Sequence, residues 1–208
     1  RILTREAQKS GGDVVVVTAE EAVENGIVPN KTMAWFLAKE MVFYQSLGIP
    51  FSALRFRHML PEETPHYSKG NFDLEIKFDF GWKEVVGNAY RTDYDLKNHM
   101  EKSGVDLTFT LDDGSKVIPH VVEPSFGVER SVYAILLYAL REDKQRGWDW
   151  LALPPRIAPI SVCVFPLVKK DGLPEKARAI FEDLRTCFDA FYDERGSIGK
   201  RYARADEI

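Results

Sequence analysis

The chain has 208 residues, a formal net charge of −4, and 45% hydrophobic and 12% aromatic residues. That length suits one large domain or one and a half ordinary ones with a sizeable core, and the acidic balance argues against a protein that coats polyanions in general. No stretch of about 18 apolar residues offers a transmembrane helix, Arg1 to Gly12 lacks the apolar run of a signal peptide, and Cys163 and Cys187 stand far apart in no metal-ligand spacing, as reduced thiols of a cytosolic protein.

The first element predicted is a short helix. Thr18 and Glu21 have capping-box spacing, and Gly26 can stop the helix. A longer helix follows, capped by Asn30 or Thr32. Met33, Phe36, Leu37, Met41, Tyr44 and Leu47 recur at helical spacing as a core stripe, and Gly48 ends it. The period then changes to two. Leu54, Phe56 and His58 alternate with Arg55 and Arg57. Next, Phe72, Leu74, Ile76, Phe78 and Phe80 face one way, and Asp73, Glu75, Lys77 and Asp79 the other. Gly81 breaks the run, Trp82 to Tyr90 resumes it, and the short connections favour antiparallel pairing. Asp93 can cap a helix over Tyr94 to Lys102. Leu107, Phe109 and Leu111, then Asp112-Asp113-Gly114, then Val117 to Val122 read as a hairpin. Gly127 to Lys144 reads as a helix that offers Val128, Ile135, Leu136 and Leu140 to the core.

A proline-rich link, Leu151 to Pro155 with Pro159, separates this region from the next. Beyond it come a strand (Ile160 to Leu167), a helix (Pro174 to Thr186) and a strand (Phe188 to Tyr192), a βαβ unit with a parallel pair. The fold class is therefore α+β: a mainly antiparallel domain over residues 1–150, then an incomplete α/β domain over 151–208. Arg195, Lys200, Arg201 and Arg204 gather near the end, flanked by acids. On charge alone this reads as a solvated loop.

The densest chemistry lies in Pro119-His-Val-Val-Glu-Pro-Ser-Phe-Gly-Val-Glu-Arg130. Pro124 is expected to end regular pairing, which leaves Glu123 and Ser125 at a strand end. Arg130 falls on the first turn of the next helix. Read by itself, this is a strand-to-helix connection with Arg130 paired to a nearby acid. Asp73 and Glu75 share one strand face, which is either solvated or lines a site.

Gly127-Val-Glu-Arg130 resembles motif 3 of the class II aminoacyl-tRNA synthetases, a strand followed by a helix bearing Gly-x-x-Arg. Three further segments are similar, in the same order, to the dimeric glycyl enzymes of that class. They are Leu54-Arg-Phe-Arg-His58 through His66-Tyr67; Phe80-Gly-Trp-Lys-Glu-Val-Val-Gly-Asn-Ala-Tyr-Arg-Thr-Asp-Tyr-Asp-Leu96; and Gly196-Ser-Ile-Gly-Lys-Arg-Tyr-Ala-Arg-Ala-Asp-Glu-Ile208. The resemblance runs from about Thr18 to the end of the chain.

The resemblance implies a cytoplasmic glycine–tRNA ligase, homodimeric when complete, acting on glycine, ATP with Mg²⁺, and tRNA(Gly). Residues 1–150 then form the later part of its catalytic domain and 151–208 the beginning of its anticodon-binding domain. By position, Glu123, Pro124 and Ser125 correspond to residues that hold glycine. An acceptor-only carboxylate suits the substrate ammonium, and a hydroxyl can support it. Arg130 corresponds to the motif 3 arginine at ATP, where a planar, permanently charged guanidinium suits a triphosphate. Glu84 and Val85 correspond to an ATP-contacting pair. Glu84 would work through Mg²⁺, or else it is a sheet carboxylate facing water or an arginine. His58 and His66 are expected to be structural, because adenylation needs no general-base histidine. Lys200, Arg201, Tyr202 and Arg204 would meet the anticodon, since aromatic rings and arginines receive unstacked bases. Motifs 1 and 2 are expected upstream of Arg1 and the remaining anticodon-domain strands after Ile208, so the isolated chain is expected to be inactive. The alternative is a synthetase-like accessory or binding protein without catalysis; loss of Glu123, Ser125 or Arg130 would favour it, and all three are present.

Overall fold

A computed structural model describes every residue except Asp143, Arg146 and Ile208. It divides into two compact units, Arg1–Gln45 with Ile49–Ala134, and Ser46–Gly48 with Ile135–Ile208.

The first unit holds β1 (Ile2–Leu3), α1 (Arg5–Ser10), α2 (Ala19–Glu24), nearly all of α3 (Lys31–Ser46), a 3-10 turn at Phe51–Ala53, β2 (Leu54–His58), β3 (Asn71–Phe78) and β4 (Gly81–Thr92). It continues through α4 (Tyr94–Ser103), β5 (Phe109–Thr110), β6 (Lys116–Val117) and β7 (Val121–Phe126) into α5 (Val128–Ala139). Its main sheet has the order β1-β2-β3-β4-β7. The β2–β3, β3–β4 and β4–β7 pairs are antiparallel, and β1 adds to β2 in parallel. The α+β expectation is met.

Local chemistry sets the helix ends. Thr18 and Glu21 form the reciprocal capping box at α2. Asn30, not Thr32, caps α3, its Oδ1 accepting from the Met33 amide at 2.8 Å. The stripe Met33, Leu37, Met41 and Tyr44 is buried, as are Phe72, Leu74, Ile76 and Phe78 of β3. Each such side chain contributes about 1.5–3 kcal/mol. Asn88 of β4 donates to Glu40 of α3 at 3.0 Å, which places α3 against this apolar face. The opposite face carries Arg55, Arg57, Asp73 and Glu75.

Several expectations need correction. α1 was not legible, because it buries no residue and so leaves no apolar period to read; Thr4 caps it and Gly11 closes it at φ +68°. Phe80 turns away from the core and is 58% exposed, since it sits in the β3–β4 turn. The expected Val117–Val122 arm is split. Lys116–Val117 closes a two-residue hairpin, while Val121 onward joins the main sheet. Pro124 does not end pairing: β7 continues to Phe126, with Asn88 opposite Pro124. Pro124 is tolerated because β7 ends the strand order, so its missing N–H breaks no second ladder. Glu123 and Ser125 therefore lie mid-strand.

The helix expected to reach Lys144, a span that includes Asp143 outside the described residues, stops at Ala139. Leu140–Arg141 pairs instead with Trp150–Leu151 (β8 and β9). Arg141 donates to the Tyr138 and Leu140 carbonyls at 2.7 and 2.8 Å, satisfying groups that the helix end leaves open. Val128, Leu136 and Leu140 are exposed, while the small Ala134 and Ala139 are buried.

In the second unit β10 (Val162–Val164) and β11 (Ala190–Tyr192) pair in parallel across α6 (Leu173–Leu184), as the βαβ pattern requires. The basic segment is not a solvated loop. It forms α7 (Ile198–Asp206), because Asp193 anchors the turn before it. The Asp193 carboxylate accepts from the Arg195 amide at 2.8 Å and from the Arg204 guanidinium, and these bonds hold its pKa far below the usual carboxylate range.

Candidate active site

The polar face of the main sheet is laid out in rows. Arg57, Asp73, Gly87 and Ser125 stand opposite one another across β2, β3, β4 and β7, and Arg55, Glu75 and Glu84 form the neighbouring row. Cross-strand partners present their side chains to the same face. The registers thus bring the expected glycine residue Ser125 and the expected nucleotide residue Glu84 to one surface, together with Asp73 and Glu75.

Two irregularities of β4 aim its functional groups. Glu75 faces Glu84 and Leu74 faces Val86, so Val85 is an extra residue in the ladder. The bulge turns the Glu84 and Val85 carbonyls toward α5. Gly127 donates its amide to Val85 O at 2.7 Å, and Arg130 donates to Glu84 O at 2.8 Å, with the Glu84 carboxylate 4.0 Å away. The Val85 side chain is itself buried. Tyr44 fixes the start of the helix from α3, its hydroxyl 2.7 Å from Ser131 Oγ, which also donates to Gly127 O. Bulges re-aim side chains in this way near sites.

The second irregularity lies between β4 and β7. Tyr90 faces Val122 and Thr92 faces Val121, so Arg91 is skipped, and Thr92 takes φ +55°. Arg91 swings out to meet three partners. It donates to Glu123 at 2.7 Å and to both oxygens of Asp95 at 2.6 and 2.9 Å, and it lies 4.0 Å over the Tyr67 ring. The hydrogen bond to Asp95, then that to Glu123, raises its pKa further. The sequence reading missed Arg91 as a site residue. The i, i+4 spacing of Arg91 and Asp95 was the one available signal.

Charge on this face is unevenly compensated. Glu75 accepts from Arg55 at 2.7 Å, and Arg55 lies 4.3 Å over Trp82. Arg57 forks onto both oxygens of Glu63 at 2.7 Å. Asp73 is pushed up to about 7, by burial first and by the Glu84 charge second. His58 stacks on Phe72 at 4.3 Å, and burial lowers it to about 4; His66 is 3.2 Å from the Tyr94 hydroxyl. Among the described residues no group of three or more His, Cys, Asp or Glu could hold a metal ion.

The four expected tRNA residues separate on α7. Arg201 is 3% exposed and donates to the carbonyls of Pro166, Arg195 and Gly196. Arg204 is bound to Asp193 and to Arg195 O. Lys200 and Tyr202 remain exposed, Tyr202 edge-on to Phe165 at 5.7 Å. No helix among the described residues is long and apolar enough to cross a membrane.

No protein-family model matches the chain. Curated relatives do. The glycine–tRNA ligase of Caldanaerobacter subterraneus subsp. tengcongensis is 47% identical over 186 residues, covering 86% of this chain and 40% of the relative. That of Aeropyrum pernix is 35% identical over 283 residues, covering 100% of this chain and 48% of the relative, and that of Pyrococcus abyssi is 34% identical, covering 100% and 50%. The chain thus spans about half the length of the relatives it matches. The archaeal alignments are also longer than this chain, so those ligases carry insertions that it lacks. Matched along its whole length at about 35% identity, the chain is a glycyl-tRNA synthetase-like protein.

Proposed function

We propose that this chain supplies the amino-acid and ATP floor of a glycine–tRNA ligase. The complete enzyme, homodimeric and cytoplasmic, would join glycine to ATP, giving glycyl-adenylate and pyrophosphate, and would then pass the glycyl group to tRNA(Gly). Residues 1–150 belong to the catalytic domain and 151–208 to the anticodon-binding domain in this reading. The observation that carries it is the convergence on one sheet face of Ser125, Glu123 and Glu84, with Arg130 reaching the Glu84 carbonyl from α5.

In the first step the glycine carboxylate attacks the α-phosphorus and the bond to pyrophosphate breaks. Such a reaction needs positioning and fixed positive charge more than a protein nucleophile. Glu123, with Pro124 and Ser125, orients the amino acid on β7. Arg91 keeps the Glu123 carboxylate in place. Arg130 supplies the planar cation for the triphosphate. The Glu84–Val85 bulge ties Arg130 to the sheet, and the Glu84 carboxylate would hold a Mg²⁺ ion accompanying ATP. Such an ion would supply charge neutralisation at the leaving group. On α7, Lys200 and Tyr202 face a tRNA anticodon, while Arg201 and Arg204 hold the segment that presents them.

The test is glycine-dependent ATP–pyrophosphate exchange by the full-length protein. Exchange with glycine, and none with proline or threonine, is the expected result; no exchange would overturn the reading. The resemblance assigns a second arginine, at the α-phosphate, to motif 2, which is not among the segments that carry the resemblance here. The 208 residues alone should therefore be inactive and regain exchange only when a fragment carrying motifs 1 and 2 is added. Full activity of the lone chain would refute that part.

A further inference from the structure

Two residues one turn apart on α3 make polar contacts behind the sheet, on its apolar face. Glu40 accepts from Asn88 of β4 at 3.0 Å. Tyr44 is fully buried, and its hydroxyl stands 2.7 Å from Ser131 Oγ of α5. The direction of this second bond follows from the geometry of the first turn of α5. Ser131 Oγ donates its one proton to Gly127 O at 2.8 Å, and the same carbonyl accepts the Ser131 amide at 3.0 Å. Towards Tyr44 it is left as an acceptor, so Tyr44 is the donor. Burial raises the Tyr44 pKa, which keeps that proton in place. The Tyr44 ring also stacks on Phe126, the last residue of β7, at 6.5 Å and 11°.

The groups held in this way are those that carry Arg130. Gly127 lies against the β4 bulge, its amide on Val85 O at 2.7 Å. A Cβ on Gly127 would stand 3.3 Å from that same oxygen, so the approach is already close. Three residues further on, Arg130 donates to Glu84 O at 2.8 Å. Arg130 is itself exposed, and the backbone that bears it sets its direction. We infer that Tyr44 is a positioning residue for the nucleotide site: through Ser131 and Gly127 it fixes the first turn of α5, and with it the direction in which Arg130 meets ATP. The inference rests on the nucleotide role of Arg130 given above and adds to it a clamp on the buried side of the sheet. A misplacement on the order of 1 Å, caused far from the chemistry, is enough to slow a reaction strongly. Glu123 is oriented separately, by Arg91, so loosening the clamp should act on ATP and spare glycine.

The experiment is glycine-dependent pyrophosphate exchange by the full-length protein, titrating ATP and glycine separately. Tyr44→Phe deletes one oxygen and keeps the ring on Phe126. It should raise KM for ATP about three- to tenfold, the equivalent of one hydrogen bond, and leave KM for glycine within about twofold. Ser131→Ala should do at least as much. The double variant should be no worse than Ser131→Ala, because both changes break one chain of bonds. Ser131→Thr keeps a hydroxyl that can reach the same carbonyl and should stay near the parent. An unchanged KM for ATP in Tyr44→Phe, a parallel rise for glycine and ATP, additive effects in the double variant, or a Ser131→Thr protein as impaired as Ser131→Ala would each overturn the clamp. The two Ser131 variants decide the matter if Tyr44→Phe does not fold. Unaltered ATP kinetics in Arg130→Lys would instead remove the nucleotide role of Arg130, and absence of glycine-dependent exchange in the unmodified protein would overturn the underlying activity.

Discussion

The Glu123 carboxylate accepts a 2.7 Å hydrogen bond from Arg91, a residue that the β4–β7 ladder skips. The same guanidinium forks onto Asp95 at the start of α4 and lies over the Tyr67 ring. Glu123 is thus oriented by a cation that is itself fixed from two other directions. Arg91→Lys keeps the charge but cannot span both carboxylates. It should raise KM for glycine by about tenfold while changing KM for ATP little. Unchanged glycine kinetics would mean that Arg91 only ties α4 to the sheet.

Arg130 makes a different kind of contact, donating to the Glu84 carbonyl from an exposed position. Arg130→Lys loses the flat, multi-donor fork that suits a triphosphate. The expected outcome is a rise of about tenfold or more in KM for ATP, with the glycine KM little altered. Survival of both ATP affinity and turnover would make Arg130 a helix-start anchor and nothing more.

Glu40 is 3% exposed, and burial pushes it up to about 7 against the opposing hydrogen bond from Asn88. Its Oε1 and the Asn88 Oδ1 are buried with no hydrogen-bond partner among the described residues. Between about 4.5 and 7 the folded chain holds a proton at Glu40 that the unfolded chain has released. The group therefore lowers stability as pH rises through that window, and the loss is complete above it. Glu40→Gln should match the parent near pH 4 and exceed it above pH 7 by up to about 3 kcal/mol. Urea unfolding at both pH values measures this; a difference independent of pH would rule out titration of Glu40.

On α7 the exposed and buried residues should behave oppositely. Lys200→Ala and Tyr202→Ala should weaken tRNA binding several-fold by filter assay and leave the melting temperature unchanged. Arg201→Ala strands the carbonyls of Pro166 and Gly196 and should lower the melting temperature and speed proteolysis after Arg195 or Lys200. Equal loss of tRNA binding without destabilisation in Arg201→Ala would place that guanidinium on the RNA.

The Asp193 carboxylate should matter to the same segment, because it joins the Arg195 amide and the Arg204 guanidinium. Asp193→Asn removes the charge but keeps the shape. Faster amide exchange over residues 195–204 is expected, with β10 and β11 unaffected; unchanged exchange would show that α7 stands without its anchor.

Periodicity alone determined the apolar face of this fold. The α3 stripe and the alternation of β3 are strong because burial repeats every 3.6 or 2 residues and leaves a regular trace. The Thr18 capping box and the βαβ order were legible for a related reason: their chemistry is local in sequence. α1 left no such trace, since it buries nothing, and the end of α5 depends on Trp150–Leu151, which no local rule brings to Leu140. The site divides along the same line. Glu84, Glu123, Ser125 and Arg130 could be named from ordered motifs. Tertiary structure decided that a one-residue bulge at Val85 ties Glu84 to Arg130, that a second bulge delivers Arg91 to Glu123, and that Gly87 lies in one row with Asp73 and Ser125. Register shifts of this kind arise from pairing between distant strands, and a one-residue slip changes which face every following side chain occupies.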